Sequence, residues 1–77
     1  TTITFDLAQE TYVSLTVYDV TGQIVRTLIQ GTVMGPGNYQ QIWNGTNRNG
    51  MKVSSGVYFY ELKAGQYNAM KKMSFVQ

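Results

Sequence analysis

Ile3, Phe5 and Leu7 alternate with Thr2, Thr4 and Asp6, the two-residue period of a strand that buries one face. After a polar break at Gln9 and Glu10, Val13, Leu15 and Val17 alternate with Tyr12, Ser14, Thr16 and Tyr18, predicting a second strand of the same kind. Ile24, Val25, Leu28 and Ile29 fit neither the strand nor the helix period. Breaks at Gly22 and Gly31 leave too few residues for a stable helix, so this segment reads as a third strand. A fourth is predicted from Asn38 to Trp43 with Tyr39, Gln41 and Trp43 inward; Gln41 is an awkward core member, which places the strand at a sheet edge or rim. Met51 to Ser55 reads as short and extended, anchored by Val53. From Gly56 onward Tyr58, Tyr60 and Leu62 share one face, and Val57, Phe59, Glu61 and Lys63 the other. The last strand is predicted from Tyr67 to Val76, with Ala69, Met73 and Phe75 inward and Lys71 near the periphery.

Turn chemistry separates these segments. Asp19-Val20-Thr21-Gly22 is a turn, because the Asp carboxylate can accept from main-chain N–H groups two residues on. Gly31 to Gly37, with Gly35 and Pro36 between, is a loop signal expected to end the third strand. Asn44 to Gly50 contains two Asn-Gly pairs, and Ala64-Gly65-Gln66 reads as a hairpin loop. About seven short strands, with turns roughly every 8–12 residues and no amphipathic helix, predict an all-β, antiparallel, immunoglobulin-like (fibronectin III-like) sandwich. Nothing divides residues 1–77, which read as one domain.

Composition agrees: six Tyr, three Phe and one Trp in 77 residues favour strands. A chain this short buries only about 60–65% of its unfolded surface, leaving little apolar material for an active-site cleft. It has no Cys and no His, which removes thiol nucleophiles, disulfides, imidazole bases and the commonest transition-metal ligands. A net charge of +2, with 13% charged residues, is too thin for a nucleic-acid footprint. Lys63, Lys71 and Lys72 make the C-terminal end mildly basic. No apolar run approaches the ~20 residues of a membrane-spanning helix, and no signal peptide is seen. The chain opens at Thr1 without Met and is expected to be a piece of something longer.

Four constellations invite chemistry. Asn47-Arg48-Asn49-Gly50 echoes a calcium loop but carries no acid, holds Arg48, and has Gly56 where a bidentate Glu would stand; no metal is expected there. Asn44-Gly45-Thr46 is a formal glycosylation sequon and also an ordinary turn, and the turn is expected. The carboxylates Asp6, Glu10, Asp19 and Glu61 include one pair, Asp6 and Glu61, that could meet across the sheets, although strand-end solvation accounts for each; no catalytic residue is assigned. Tyr12, Tyr18 and Phe59, assigned outward, form a possible carbohydrate platform if their rings make one exposed row. Cross-strand pairing is the commoner reason for such residues.

The order and spacing of Trp43-Asn44-Gly45 through Gly50, Val53, Ser55-Gly56-Val57-Tyr58-Phe59-Tyr60 and Leu62 resembles the C-terminal sorting domains of the type IX secretion system, which are related in fold to the immunoglobulin-like domain of the flagellar hook-cap protein. Val17 to Leu28 and the ending Lys71-Lys72-Met73 look like the same family, so the resemblance covers nearly the whole chain. Asn44 departs from the family's usual acid after the Trp, and Gln41 from its usual apolar residue. The resemblance implies a non-catalytic C-terminal module of a secreted or surface protein of a Gram-negative bacterium, exported through the periplasm and read by outer-membrane secretion machinery. Its partners would be that machinery and the parent's preceding domains, with no nucleic acid, cofactor or membrane span. Recognition is expected at Lys71, Lys72, Ser74 and Val76, where a terminal strand can offer main-chain groups. The alternative is a structural or carbohydrate-binding accessory sandwich of an extracellular enzyme.

Overall fold

Six antiparallel strands and no helix make up the computed structural model, which describes residues 1–77: β1 (Thr2–Leu7), β2 (Thr11–Tyr18), β3 (Ile24–Met34), β4 (Gly37–Ile42), β5 (Gly56–Ala64) and β6 (Tyr67–Phe75). β1 pairs with β4 in a two-stranded sheet, and β3-β2-β5-β6 form a four-stranded sheet. The two sheets pack as a sandwich whose interior is the set that the period-two pattern picks out: Ile3, Phe5 and Leu7 from β1, Val13, Leu15 and Val17 from β2, and Tyr58 and Leu62 from β5. Two apolar clusters share Leu28, Tyr60 and Met73 at their border. One centres on β1, Val13, Leu15 and Leu62; the other on Val17, Val25, Trp43 and Tyr58.

Six strands stand where about seven were expected. Met51 to Ser55 forms no strand: its pairing is spent on the preceding loop, through a single bridge between Thr46 and Lys52 and a 2.9 Å bond from Val53 N–H to Gly45 C=O. The fourth strand closes at Ile42 and the last at Phe75, each one residue short of its expected end.

The expectation that Gly31 ends β3 is overturned, since the strand runs on to Met34. Its eleven residues lie against the eight of β2, and the surplus is taken up at three register shifts, between Val13 and Leu15, between Leu15 and Thr16, and between Val17 and Tyr18. Each shift is a bulge that sets two residues opposite one and bends the strand. Gly31 sits in the first of them with φ +55°, and its N–H donates to Ser14 Oγ at 3.0 Å. A glycine that usually breaks a strand here permits the bulge that continues it. The same bulges explain why Ile24, Val25, Leu28 and Ile29 match no simple period.

Trp43, directly after β4, is fully buried and gathers distant parts of the chain. Its ring meets Tyr58 and Phe75 at centroid distances of 5.0 Å each, and its indole N–H donates to Thr46 C=O at 2.9 Å. Tyr58 and Tyr39 each reach back four residues, their hydroxyls donating at 2.7 Å to Ser54 C=O and Gly35 C=O. Each thereby pins the segment leading into its own strand while its ring stays in the core.

Candidate recognition surface

The strand order leaves β6 at an edge, its inner neighbour β5 and its other side unpaired. Alternation along β6 then sorts the four residues expected to recognise a partner. Lys72 and Ser74, opposite Phe59 and Val57, face outward from the sandwich. Lys71, opposite Tyr60, lies on the inner face but stays exposed because the smaller sheet does not reach it. Val76 lies beyond the strand and is 80% exposed. The next residue fixes its position: Gln77 N–H donates to Ser55 Oγ at 2.9 Å, and the Gln77 side-chain amide donates to Val53 C=O. All four residues are accessible, but Lys71 points away from the other side-chain pair.

The three rings considered as a ligand platform divide as well. Tyr18 on β2 and Phe59 on β5 are direct cross-strand partners, and Lys72 is the next residue across on β6, so the three form one row over the outer face. Tyr12 is six residues along β2 from Tyr18, roughly 20 Å at strand rise, and 67% exposed. It belongs to the far end of the sheet, so the three rings do not form one row. The outer face thus joins one expected recognition residue, Lys72, to two of the three aromatic candidates. That juxtaposition depends on register, which the sequence alone does not fix.

Charge on this face is locally settled. Tyr18 Oη donates to Glu61 Oε1 at 3.1 Å, and Lys63 Nζ lies 3.9 Å from the same carboxylate. Partial burial, then the hydrogen bond and negative charge of Glu61, push the Tyr18 phenol above its ordinary value. Lys71 and Lys72 make no ion pair. Glu61 faces outward from the large sheet, whereas Asp6 is exposed on the outer side of β1, so these two acids do not meet across the sheets.

The Asn-rich loop resolves into turn chemistry. Asn47 Oδ1 accepts from the N–H groups of Asn49 and Met51 at 2.9 and 3.1 Å, and Asn44 Oδ1 accepts from Thr46 Oγ1 at 2.6 Å. Arg26, on β3, holds the loop from below: its Nη1 donates to Thr46 Oγ1 at 2.8 Å and to Asn47 C=O at 3.0 Å. This role of Arg26 was not visible in the sequence; its one signal was a lone cation among the apolar residues Ile24, Val25, Leu28 and Ile29 of β3.

Residues 1–68 match the family of the FlgD Ig-like domain. The chain belongs to the FlgD Ig-like domain family. No curated protein is similar enough to the chain to count as a match. Membership in this family agrees with the two-sheet antiparallel architecture and with the immunoglobulin-like relationship implied by the spacing from Trp43 to Leu62. The matched region includes that spacing and stops inside β6, so Lys71, Lys72, Ser74 and Val76 lie beyond it. No helix of the chain is long and apolar enough to cross a membrane.

Proposed function

We propose that this chain is a non-catalytic C-terminal sorting and anchoring module, which directs a secreted bacterial protein across the outer membrane through the type IX secretion system. The observation that carries the reading is the free edge of β6, where unpaired main-chain groups stand beside the exposed side chains of Lys72 and Ser74. An exposed strand edge is a template for pairing with another chain, and side chains on its accessible face supply selectivity. The resemblance of Val17 to Leu28, Trp43 to Leu62 and Lys71 to Met73 to sorting domains names the machinery that reads the edge. In this reading the domain travels through the periplasm attached to its parent and ends outside the cell or on its surface.

The test is fusion of residues 1–77 to a neutral reporter in a bacterium with a working type IX system. Removing Lys71 to Gln77 would also remove Met73 and Phe75, which pack in the core, so truncation would confound recognition with folding. The informative variants are Lys72→Glu and Ser74→Glu, whose side chains lie outside the core. Export of the intact fusion, reduced at least several-fold by the two substitutions together, is expected. Retention of the intact fusion in the periplasm would show that the sorting reading is wrong.

A further inference from the structure

The two sheets are unequal, and the inequality leaves a groove. β1 packs over β2 and Leu62 of β5, and Trp43 covers the second half of β6 through Phe75. The first half of β6 has nothing above it. There an open groove of about 860 Å³ runs between β1 and the inner face of β5 and β6. Its floor is formed by Tyr60 and Leu62 with Ala69 and Tyr67, and one wall is the segment from Thr4 to Ala8.

The ladder between β1 and β4 fixes what that wall offers. Thr1 and Trp43 exchange both main-chain bonds, Trp43 N–H to Thr1 C=O at 2.9 Å and the Thr1 amino group to Trp43 C=O at 3.1 Å. In an antiparallel pair such positions alternate, so Ile3, Phe5 and Leu7 also bond to β4, and the N–H and C=O groups of Thr2, Thr4 and Asp6 point away from it. No other strand pairs with β1. Thr4 and Asp6 therefore present strand-spaced donors and acceptors beside an apolar floor. Lys71 lines the same groove and makes no ion pair.

We propose that this groove accepts an extended strand from a partner polypeptide, hydrogen-bonded to the free edge of β1. Alternate apolar side chains of that strand rest on Tyr60, Leu62 and Ala69, and one carboxylate faces Lys71. Regularly spaced main-chain donors and acceptors select an extended backbone, the floor selects apolar side chains at every second position, and the unpaired ammonium selects an acid. The occupant is a foreign strand because β3, β4 and β6, three of this chain's own four edge strands, contain no Asp or Glu, and Asp6 of β1 faces away from the core. The added strand completes a three-stranded sheet opposite the four-stranded one. This site is independent of the outward row at Lys72 and stands whether or not the domain is a sorting signal.

The probe is an acetylated and amidated peptide, Val-Thr-Val-Thr-Glu-Thr, titrated into the isotopically labelled 77-residue chain, with a second peptide carrying Lys for Glu. The expected result is chemical-shift change and slowed amide exchange at Thr4 and Asp6. Binding of the Glu peptide should be about threefold tighter than that of the Lys peptide, with the order reversed in Lys71→Glu, as suits an exposed ion pair. Thr4→Pro removes a groove-facing donor and leaves the bonds to β4 intact, so it should weaken binding about tenfold or more. Ala69→Gln, which fills the floor from β6, should do the same and serves if Thr4→Pro fails to fold, as judged by Trp43 fluorescence. No change at Thr4 and Asp6 in millimolar peptide, or equal binding of both peptides, overturns the proposal. Protection of those amides without peptide, rising with protein concentration, overturns it in favour of a second copy of the chain.

Discussion

At Gly45 the main chain takes φ +76°, and a Cβ there would overlap the Phe75 ring. The ring cannot easily retreat, because it is wedged between Trp43 and Tyr58 at centroid distances of 5.0 and 6.4 Å. Gly45→Ala therefore combines a left-handed backbone penalty with overpacking, together about 2–5 kcal/mol. Domains of this size have only about 4–12 kcal/mol of stability, so urea unfolding should show a large fall in midpoint. A loss of only about 1–2 kcal/mol, the backbone penalty alone, would mean that the ring moves freely. Asp19 illustrates a milder residue effect. Its Oδ1 accepts from Thr21 Oγ1 at 2.6 Å and from the Gln23 and Thr21 N–H groups at 3.0 and 2.9 Å, and these bonds hold the carboxyl below its ordinary value. Because the folded value is depressed, the stabilisation is present above the ordinary carboxylate range near pH 4 and is lost as pH falls through the folded value. Urea midpoints of the wild type and Asp19→Ala should differ by a constant amount from about pH 6 to 8 and converge in acid. A gap that does not begin to shrink as pH falls below the ordinary carboxylate range would exclude the charged form as its source.

β1 and β2 were legible in the sequence because one face of each is buried and the other solvated, so alternation maps directly onto Ile3, Phe5, Leu7, Val13, Leu15 and Val17. β3 was legible only in part. Its three bulges shift the phase of the apolar pattern each time, and Gly31, which reads as a breaker, is consumed by one of them. Of the candidate surface, exposure of Lys72 and Ser74 followed from alternation. The row of Tyr18, Phe59 and Lys72 depends on how β2, β5 and β6 align, and the groove beside β1 on which strand the second sheet lacks. Long-range register carries no local signal. Arg26 is the element-level tie that the pattern missed, joining bulged β3 to the loop after Trp43. Arg26→Ala should cost about 1.5–3 kcal/mol, as for hydrogen bonds from a charged donor. Amide exchange at Asn47 and Arg48 should accelerate more than exchange in β2. Uniform acceleration would show that the loop opens only with the whole domain.

For the whole molecule, Trp43 makes the sandwich one cooperative unit, since it is bonded to Thr1 at one end of the chain and stacked on Phe75 near the other. The recognition edge and the core consequently share β6, with Lys72 and Ser74 on one side of the strand and Met73 and Phe75 on the other. Loss of export can therefore arise in two ways, and stability distinguishes them. Phe75→Ala removes a partly buried ring from the Trp43 cluster and should destabilise the domain by about 2–4 kcal/mol, less than the ~3–5 of a fully buried aromatic. Reporter export should fall along with the melting temperature. Lys72→Glu, exposed and without an ion pair, should change stability by no more than ~0.5 kcal/mol while still lowering export. If export follows stability in both variants, the edge of β6 is only a structural element and the recognition surface must lie on another face. If Lys72→Glu lowers export at unchanged stability, the outward row of β6 is read directly, and the groove on the opposite face is free to serve a separate partner.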